Sequence, residues 1–146
     1  MSTSKISVIG GGSFGTVIAN ITAENGYDVS FWMRNESQAE QLNLTHENSQ
    51  YLPNYRLNER IVATSDMADA VKGSGLIFVA VPSSSFRQVV RDMVPHISED
   101  TVLVSTTKGI ESGSFDMMTQ ILNQEAPKAK VGVLSGPNLA MEIAKK

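Results

Sequence analysis

The residues with most chemistry to offer stand where an apolar run meets a helix-like stretch. Gly10-Gly11-Gly12-Ser13-Phe14-Gly15 follows Ile6 to Ile9 and reads as G-x-G-x-x-G. Between a strand and a helix, such a turn can hold a dinucleotide. Gly10 permits the tight turn, Gly12 lets the backbone approach a pyrophosphate, and Gly15 lets helix and strand pack closely. Free N–H groups at the helix start then supply an anion site. Glycines also mark ordinary turns between strand and helix. Here the context favours the binding role: the turn follows a strand near the N-terminus, opens a helix and is followed by a second strand within about 30 residues.

The end of that second strand bears on which dinucleotide is held. Specificity for NAD usually places Asp or Glu there, about 20 residues past the glycines, to grip the ribose 2′-OH. This sequence has Met33-Arg34-Asn35 instead. A guanidinium suits a 2′-phosphate, so NADP(H) is favoured and NAD(H) stays open. The alternative for Arg34 is a solvated surface arginine.

Three further turns carry candidates. Pro82 and Phe86 follow the run Leu76 to Val81 and could pack on a cofactor, although aromatic spacing on a helix usually marks core. Ser105-Thr106-Thr107-Lys108-Gly109 puts a lysine at the carboxyl end of a central strand, where ligands of such sheets bind. Its ammonium could hold an anionic substrate or polarise a carbonyl; an ordinary surface lysine is the equal alternative. Ser135-Gly136-Pro137-Asn138 precedes a helix, and either binds an anion through free N–H groups or only connects strand to helix.

The elements that must position these residues alternate along the chain. Strands are expected over Ile6 to Ile9, Val29 to Met33, Ile61 to Thr64, Leu76 to Val81, Val102 to Ser105 and Val131 to Leu134. Helices are expected over Ser13 to Glu24 (burying Phe14, Val17, Ile18 and Ile21), Glu36 to Leu44, from Ser65 or Asp66 to Lys72, Ser84 to Val94, Phe115 to Leu122, and from Leu139 onwards. Asn25-Gly26 supplies C-cap chemistry to the first helix, and Thr45 to Arg60 reads as loop. Alternation with right-handed crossovers gives an α/β fold: a Rossmann-type doubly wound, mostly parallel sheet.

Composition narrows the classes. At 146 residues, 41% hydrophobic and 18% charged, the chain suits one ordinary domain with a proper core. A net charge of −3 offers no broad basic surface, so no nucleic-acid partner is expected. There is no cysteine, and His46 and His96 lack ligand spacing, so no metal site is expected. The N-terminus lacks the apolar core of a signal peptide, and no apolar run approaches about 20 residues, so a cytoplasmic location without a membrane span is expected.

Taken together and in this order, Val8-Ile9-Gly10-Gly11-Gly12-Ser13-Phe14-Gly15-Thr16, Tyr51-Leu52-Pro53, Val81-Pro82-Ser83, Thr107-Lys108-Gly109 and Ser135-Gly136-Pro137-Asn138 resemble the bacterial NAD(P)-dependent glycerol-3-phosphate dehydrogenases. The likeness runs along the entire chain, and its last two motifs are the most specific. It implies that Ser13 and Phe14 contact the cofactor, that Arg34 receives the adenosine phosphate, and that Phe86 and Ala140 lie beside the dinucleotide. It further implies that Lys108 touches both cofactor and substrate, and that Gly136 and Asn138 help hold the glycerol phosphate. The implied reaction is reversible hydride transfer between the nicotinamide and dihydroxyacetone phosphate, which supplies sn-glycerol 3-phosphate for phospholipid synthesis. Two positions depart from the family pattern: Gly11 is often alanine there, and Asn138 often Ser or Thr.

The resemblance also implies a second, all-helical domain that completes the substrate pocket and supplies a lysine as general acid/base. The sequence stops at Lys146, before such a domain, so residues 1–146 are expected to be the NAD(P)-binding part of a two-domain enzyme, inactive alone. A homodimer is compatible with the full-length enzyme. Two other readings compete: the same domain of a 6-phosphogluconate, hydroxyacyl-CoA or ketopantoate dehydrogenase relative, and a non-catalytic NADP-binding module.

Overall fold

The computed structural model describes residues 4–136 and 140–145. Strand and helix alternate: β1 (Lys5–Ile9), α1 (Ser13–Glu24), β2 (Asp28–Trp32), α2 (Glu36–Thr45), β3 (Ile61–Thr64), α3 (Met67–Val71), β4 (Leu76–Val79), α4 (Ser83–Met93), β5 (Val102–Ser105), α5 (Met118–Glu125), β6 (Lys130–Val133) and α6 (Ala140–Ala144). The six strands form one parallel sheet in the order β3-β2-β1-β4-β5-β6. This is the doubly wound sheet expected from the alternation.

A parallel sheet needs cover on both faces, and its strands send alternate side chains to each. On one face Ile9, Ile77, Val79 and Leu103 share a core with Phe86, Val89, Val90 and Met93 of α4 and Ile121 and Leu122 of α5. On the other, Val8, Val29, Phe31 and Ile61 share a core with Val17 and Ile18 of α1 and Leu42 of α2. Ser7 points into the first face, where its buried hydroxyl is satisfied by the Ala70 carbonyl and Ser74 Oγ.

Helix starts follow capping chemistry. Asn35 Oδ1 accepts from the Gln38 N–H at 3.0 Å, and Asp66 Oδ1 from the Asp69 N–H at 2.9 Å. Asn25 caps the end of α1, and Gly26 follows at φ +93°.

Beyond one-residue shifts at element ends and a half-buried Phe14, three details differ from the sequence reading. On α1, Ile21 is 37% exposed, and the buried stripe runs through Gly15, Thr16, Val17, Ile18, Ala19, Asn20 and Ala23. Asn20 faces inward because its Oδ1 accepts from the Asn58 N–H at 2.8 Å, tying the loop after α2 to the helix. β4 ends at Val79, two residues before the expected Val81. The expected helix Phe115 to Leu122 begins only at Met118 and runs on to Glu125. Gly113 at φ +96° and Phe115 at φ +62° break the backbone before it, and Gln120 Oε1 accepts from the Met117 N–H at 2.7 Å to start the helix later. The expected start of the last helix, Leu139, lies outside the described residues; α6 is described from Ala140.

Candidate functional site

The chain winds outward from β1 through β2 to β3, then crosses to β4 on the other side of β1. The carboxyl ends of β1 and β4 therefore diverge, and a crevice opens between the loops that leave them. The cleft there measures about 1290 Å³. Its floor is Gly10, Gly11, Gly12, Ser13 and Phe14. One wall comes from the end of β2, with Trp32, Met33, Arg34 and Asn35, backed by Gln38, Gln50 and Tyr51. The other comes from Ala80 to Ser83, Ser85 and Thr106 to Lys108, with Leu134 and Ala140 beside it.

The four glycines of the turn do different work. A Cβ on Gly10 would lie 2.6 Å from the Ala80 carbonyl oxygen, and Gly10 itself has φ +125°. On Gly11 it would lie 2.7 Å from Met33 Cβ, and on Gly15 only 2.0 Å from the Gly10 carbonyl oxygen. At Gly10 and Gly15 backbones of the turn, the helix and the end of β4 meet, whereas Gly11 packs against the Met33 side chain. A Cβ on Gly12 would meet nothing within 4 Å. Gly12 is also the N-cap of α1, which has no side-chain cap and no acidic residue in its first turn. The first N–H groups of the helix and its positive end thus face open space, with no side chain competing for them. A diphosphate fits this cradle, and a side chain on Gly12 would fill it.

A polar network holds the turn from behind. Asn48 is 2% exposed, and its Nδ2 donates to the Gly11 carbonyl at 2.9 Å and to Thr16 Oγ1 at 2.8 Å. Gln38 Nε2 donates to the same Gly11 carbonyl at 3.3 Å and to Asn48 Oδ1 at 3.0 Å. Ser13 Oγ donates to the Tyr51 carbonyl at 2.8 Å, which ties the loop after α2 to the rim of the cleft. Sequence reasoning did not single out Asn48 or Gln38; the only cue was an asparagine-rich loop.

The two cations of the cleft lie on opposite sides of the glycine turn. Arg34 is exposed, and its guanidinium carbon stands 5.8 Å from the centroid of the Trp32 ring, a cation–π contact. Trp32 is in turn anchored by its Nε1, which donates to the Ser65 carbonyl at 3.0 Å. Among the described residues no carboxylate lies within ion-pair distance of Arg34. Lys108 is also exposed, in the turn after β5. Thr107 Oγ1 donates to the Val81 carbonyl at 2.6 Å and Thr106 Oγ1 to the Val79 carbonyl at 3.3 Å, fastening that turn to the end of β4.

Behind this wall lies a charge cluster that the sequence did not reveal. Arg87 on α4, with a side chain only 18% exposed, pairs with Glu111 at 2.8 Å, Asp116 at 3.1 Å and Glu125 at 2.6 Å. Arg91 pairs with Glu125 at 3.0 Å. Hydrogen bonds from Arg87, then Ser114, pull the Glu111 carboxyl down to about 2, and the same pairing raises Arg87 above its ordinary value.

Of the residues proposed from sequence, Gly10, Gly12, Ser13, Phe14, Arg34, Lys108 and Ala140 line the one cleft. Gly15 sits beneath it, in the contact of α1 with the turn. Phe86, which the resemblance puts beside the dinucleotide, is fully buried in the core with Val79 and Val81 and does not line the cleft; the residue-type reading as core describes its position. Gly136, at φ +143°, is half-buried and is also not part of the lining. Asn138 lies outside the described residues. Among the described residues no three His, Asp or Glu side chains gather as metal ligands would, and no helix is long and apolar enough to cross a membrane.

A six-stranded parallel sheet in this order, with a glycine turn under an uncapped helix at its switch point, defines a Rossmann-type nucleotide-binding fold. The sequence pattern of one family, NAD-dependent glycerol-3-phosphate dehydrogenase N-terminus, matches residues 5–146, and the chain belongs to that family. A glycerol-3-phosphate dehydrogenase [NAD(P)+] of Teredinibacter turnerae is 50% identical over 139 residues, covering 95% of this chain and 41% of the relative. The enzyme of that name from Azotobacter vinelandii is 52% identical over 139 residues, with the same shares covered. Among solved structures, glycerol-3-phosphate dehydrogenase from Coxiella burnetii superposes with a TM-score of 0.90 at 32% identity, covering 98% of this chain and 44% of that one. The chain thus spans about two fifths of the length of the curated relatives it matches.

Proposed function

We propose that this chain is the cofactor-binding domain of an sn-glycerol-3-phosphate dehydrogenase that prefers NADPH to NADH and works in the cytoplasm. The observation that carries the reading is the open cradle at Gly12, flanked in one cleft by Arg34 and Lys108. The turn and the start of α1 bind a diphosphate through backbone N–H groups. Arg34, braced on Trp32, takes the 2′-phosphate of an adenosine laid along the end of β2. The residues at the carboxyl ends of β4 and β5, Lys108 among them, would then hold the nicotinamide end.

When bound, the cofactor supplies the hydride. Lys108 orients the substrate by holding an oxygen of dihydroxyacetone phosphate, and its charge favours the alkoxide that develops there. Gly136 and Asn138 support the glycerol phosphate, with the proton donor supplied from the all-helical domain. The test is consumption of NADPH with dihydroxyacetone phosphate, by the intact enzyme and by residues 1–146 alone. The intact enzyme is expected to turn over, and residues 1–146 to bind NADPH without turnover, because orientation and proton transfer are incomplete. An intact enzyme that leaves NADPH unconsumed contradicts the reading; sustained turnover by residues 1–146 contradicts the assignment of the proton donor.

A further inference from the structure

We infer that Arg87 is a positioning residue for Lys108, acting from outside the cleft through the loop that follows the lysine; this rests on the role given to Lys108 above. The turn bearing Lys108 is fastened on its amino side by Thr107, whose hydroxyl donates to the Val81 carbonyl at 2.6 Å. On its carboxyl side comes Gly109 at φ +113°, a joint with little stiffness of its own. Beyond it the chain closes into a small loop: Ile110 bridges Met117, the Glu111 N–H donates to the Asp116 carbonyl at 2.8 Å, and the Phe115 N–H to the Glu111 carbonyl at 3.0 Å.

Apolar burial does not hold this loop in place. Ile110, Phe115 and Met117 are 52%, 73% and 55% exposed, and Phe115 carries an unfavourable φ of +62°. What docks it is Arg87. The Nε of Arg87 donates to Glu111 Oε2 at 2.8 Å and its Nη2 to Oε1 at 2.9 Å, a fork gripping the carboxylate two residues past Gly109. Nη2 also reaches Asp116 at 3.1 Å on the returning side of the loop, and Nη1 reaches Glu125 at 2.6 Å on α5. One guanidinium thus joins both sides of the loop and α5 to α4, one turn from Ser83 in the cleft wall. Lysine cannot replace it, because a single ammonium lacks the planar fork. Without the clamp, the carboxyl-side anchor of Lys108 is released while the glycine turn and Arg34 stay untouched.

The test is a double-mutant cycle in the intact enzyme, with NADPH and dihydroxyacetone phosphate. Arg87→Met is expected to lower kcat/KM for the triose phosphate about tenfold or more, since small misplacements of a positioned group are costly. NADPH affinity should change less than about threefold, and Arg87→Lys should rescue little. In a Lys108→Ala background Arg87→Met should add less than about a twofold further loss, because the group it positions is gone. A loss that repeats in full on top of Lys108→Ala, or an Arg87→Met enzyme with wild-type turnover, overturns the inference while leaving Lys108 its role. A Lys108→Ala enzyme with wild-type turnover overturns the role of Lys108 and this inference with it. Should Arg87→Met fail to fold, Glu111→Gln weakens the same fork more gently. Its loss, about threefold, should likewise vanish in the Lys108→Ala background, and an additive loss overturns the inference.

Discussion

In the proposed function, Arg34 and Lys108 are the side chains on which binding and chemistry divide. A charge-assisted contact between Arg34 and a 2′-phosphate contributes about 1.5–3 kcal/mol, roughly ten- to a hundredfold in affinity. Arg34→Ala should therefore weaken NADPH by that factor in calorimetric titration and leave NADH unchanged; equal wild-type affinities for both cofactors contradict the assignment. Lys108→Ala should cut kcat/KM of the intact enzyme about a hundredfold or more, with thermal stability nearly unmoved. Lys108→Arg should not rescue it, because guanidinium is wider and planar. Near-normal turnover in both variants would make Lys108 a surface lysine. The place of Arg34 and Lys108 in the cleft was legible in the sequence because each stands at the carboxyl end of a strand. Asn48 was not: nothing in periodicity shows that a loop amide 37 residues away donates to the Gly11 carbonyl.

At the scale of elements, strands β3 and β5 and helix α1 have the bounds that pattern and capping predict, because each is set by local chemistry. The start of α5 was misread because apolar spacing does not show the left-handed φ of Phe115 or the bond from the Met117 N–H to Gln120 Oε1 that sets the helix start. The cluster has a pH signature. Glu111 titrates at about 2 in the fold against 4.5 ordinarily, so its contribution to stability is complete above about pH 4.5 and drains away as pH falls toward 2. The stability gap between wild type and Glu111→Gln should shrink across that window in denaturant titrations; a gap independent of pH contradicts the pairing. Asn48→Ala leaves the buried network around Gly11 and Thr16 short of donors. It should destabilise the fold by about 1–3 kcal/mol and weaken NADPH binding, and an unchanged denaturation midpoint would show the network to be idle.

For the whole molecule, the strand order among the described residues places the glycine turn where the winding reverses, so the fold itself sets the place of the candidate site. The proposed function requires the backbone at Gly12 to cradle a cofactor diphosphate, and Gly12→Val tests this most directly. Gly12 has extended backbone at φ −78° and ψ −173°, which valine adopts readily, and its missing side chain would meet no protein atom within 4 Å. The variant should fold with a loss of about 1 kcal/mol or less, in contrast to Gly15→Ala, whose new methyl would collide with the Gly10 carbonyl. Calorimetric titration of residues 1–146 with NADPH should then show affinity reduced at least about tenfold in the stable Gly12→Val variant, because the valine occupies the diphosphate's place. A stable Gly12→Val protein that binds NADPH as tightly as wild type would contradict the claim.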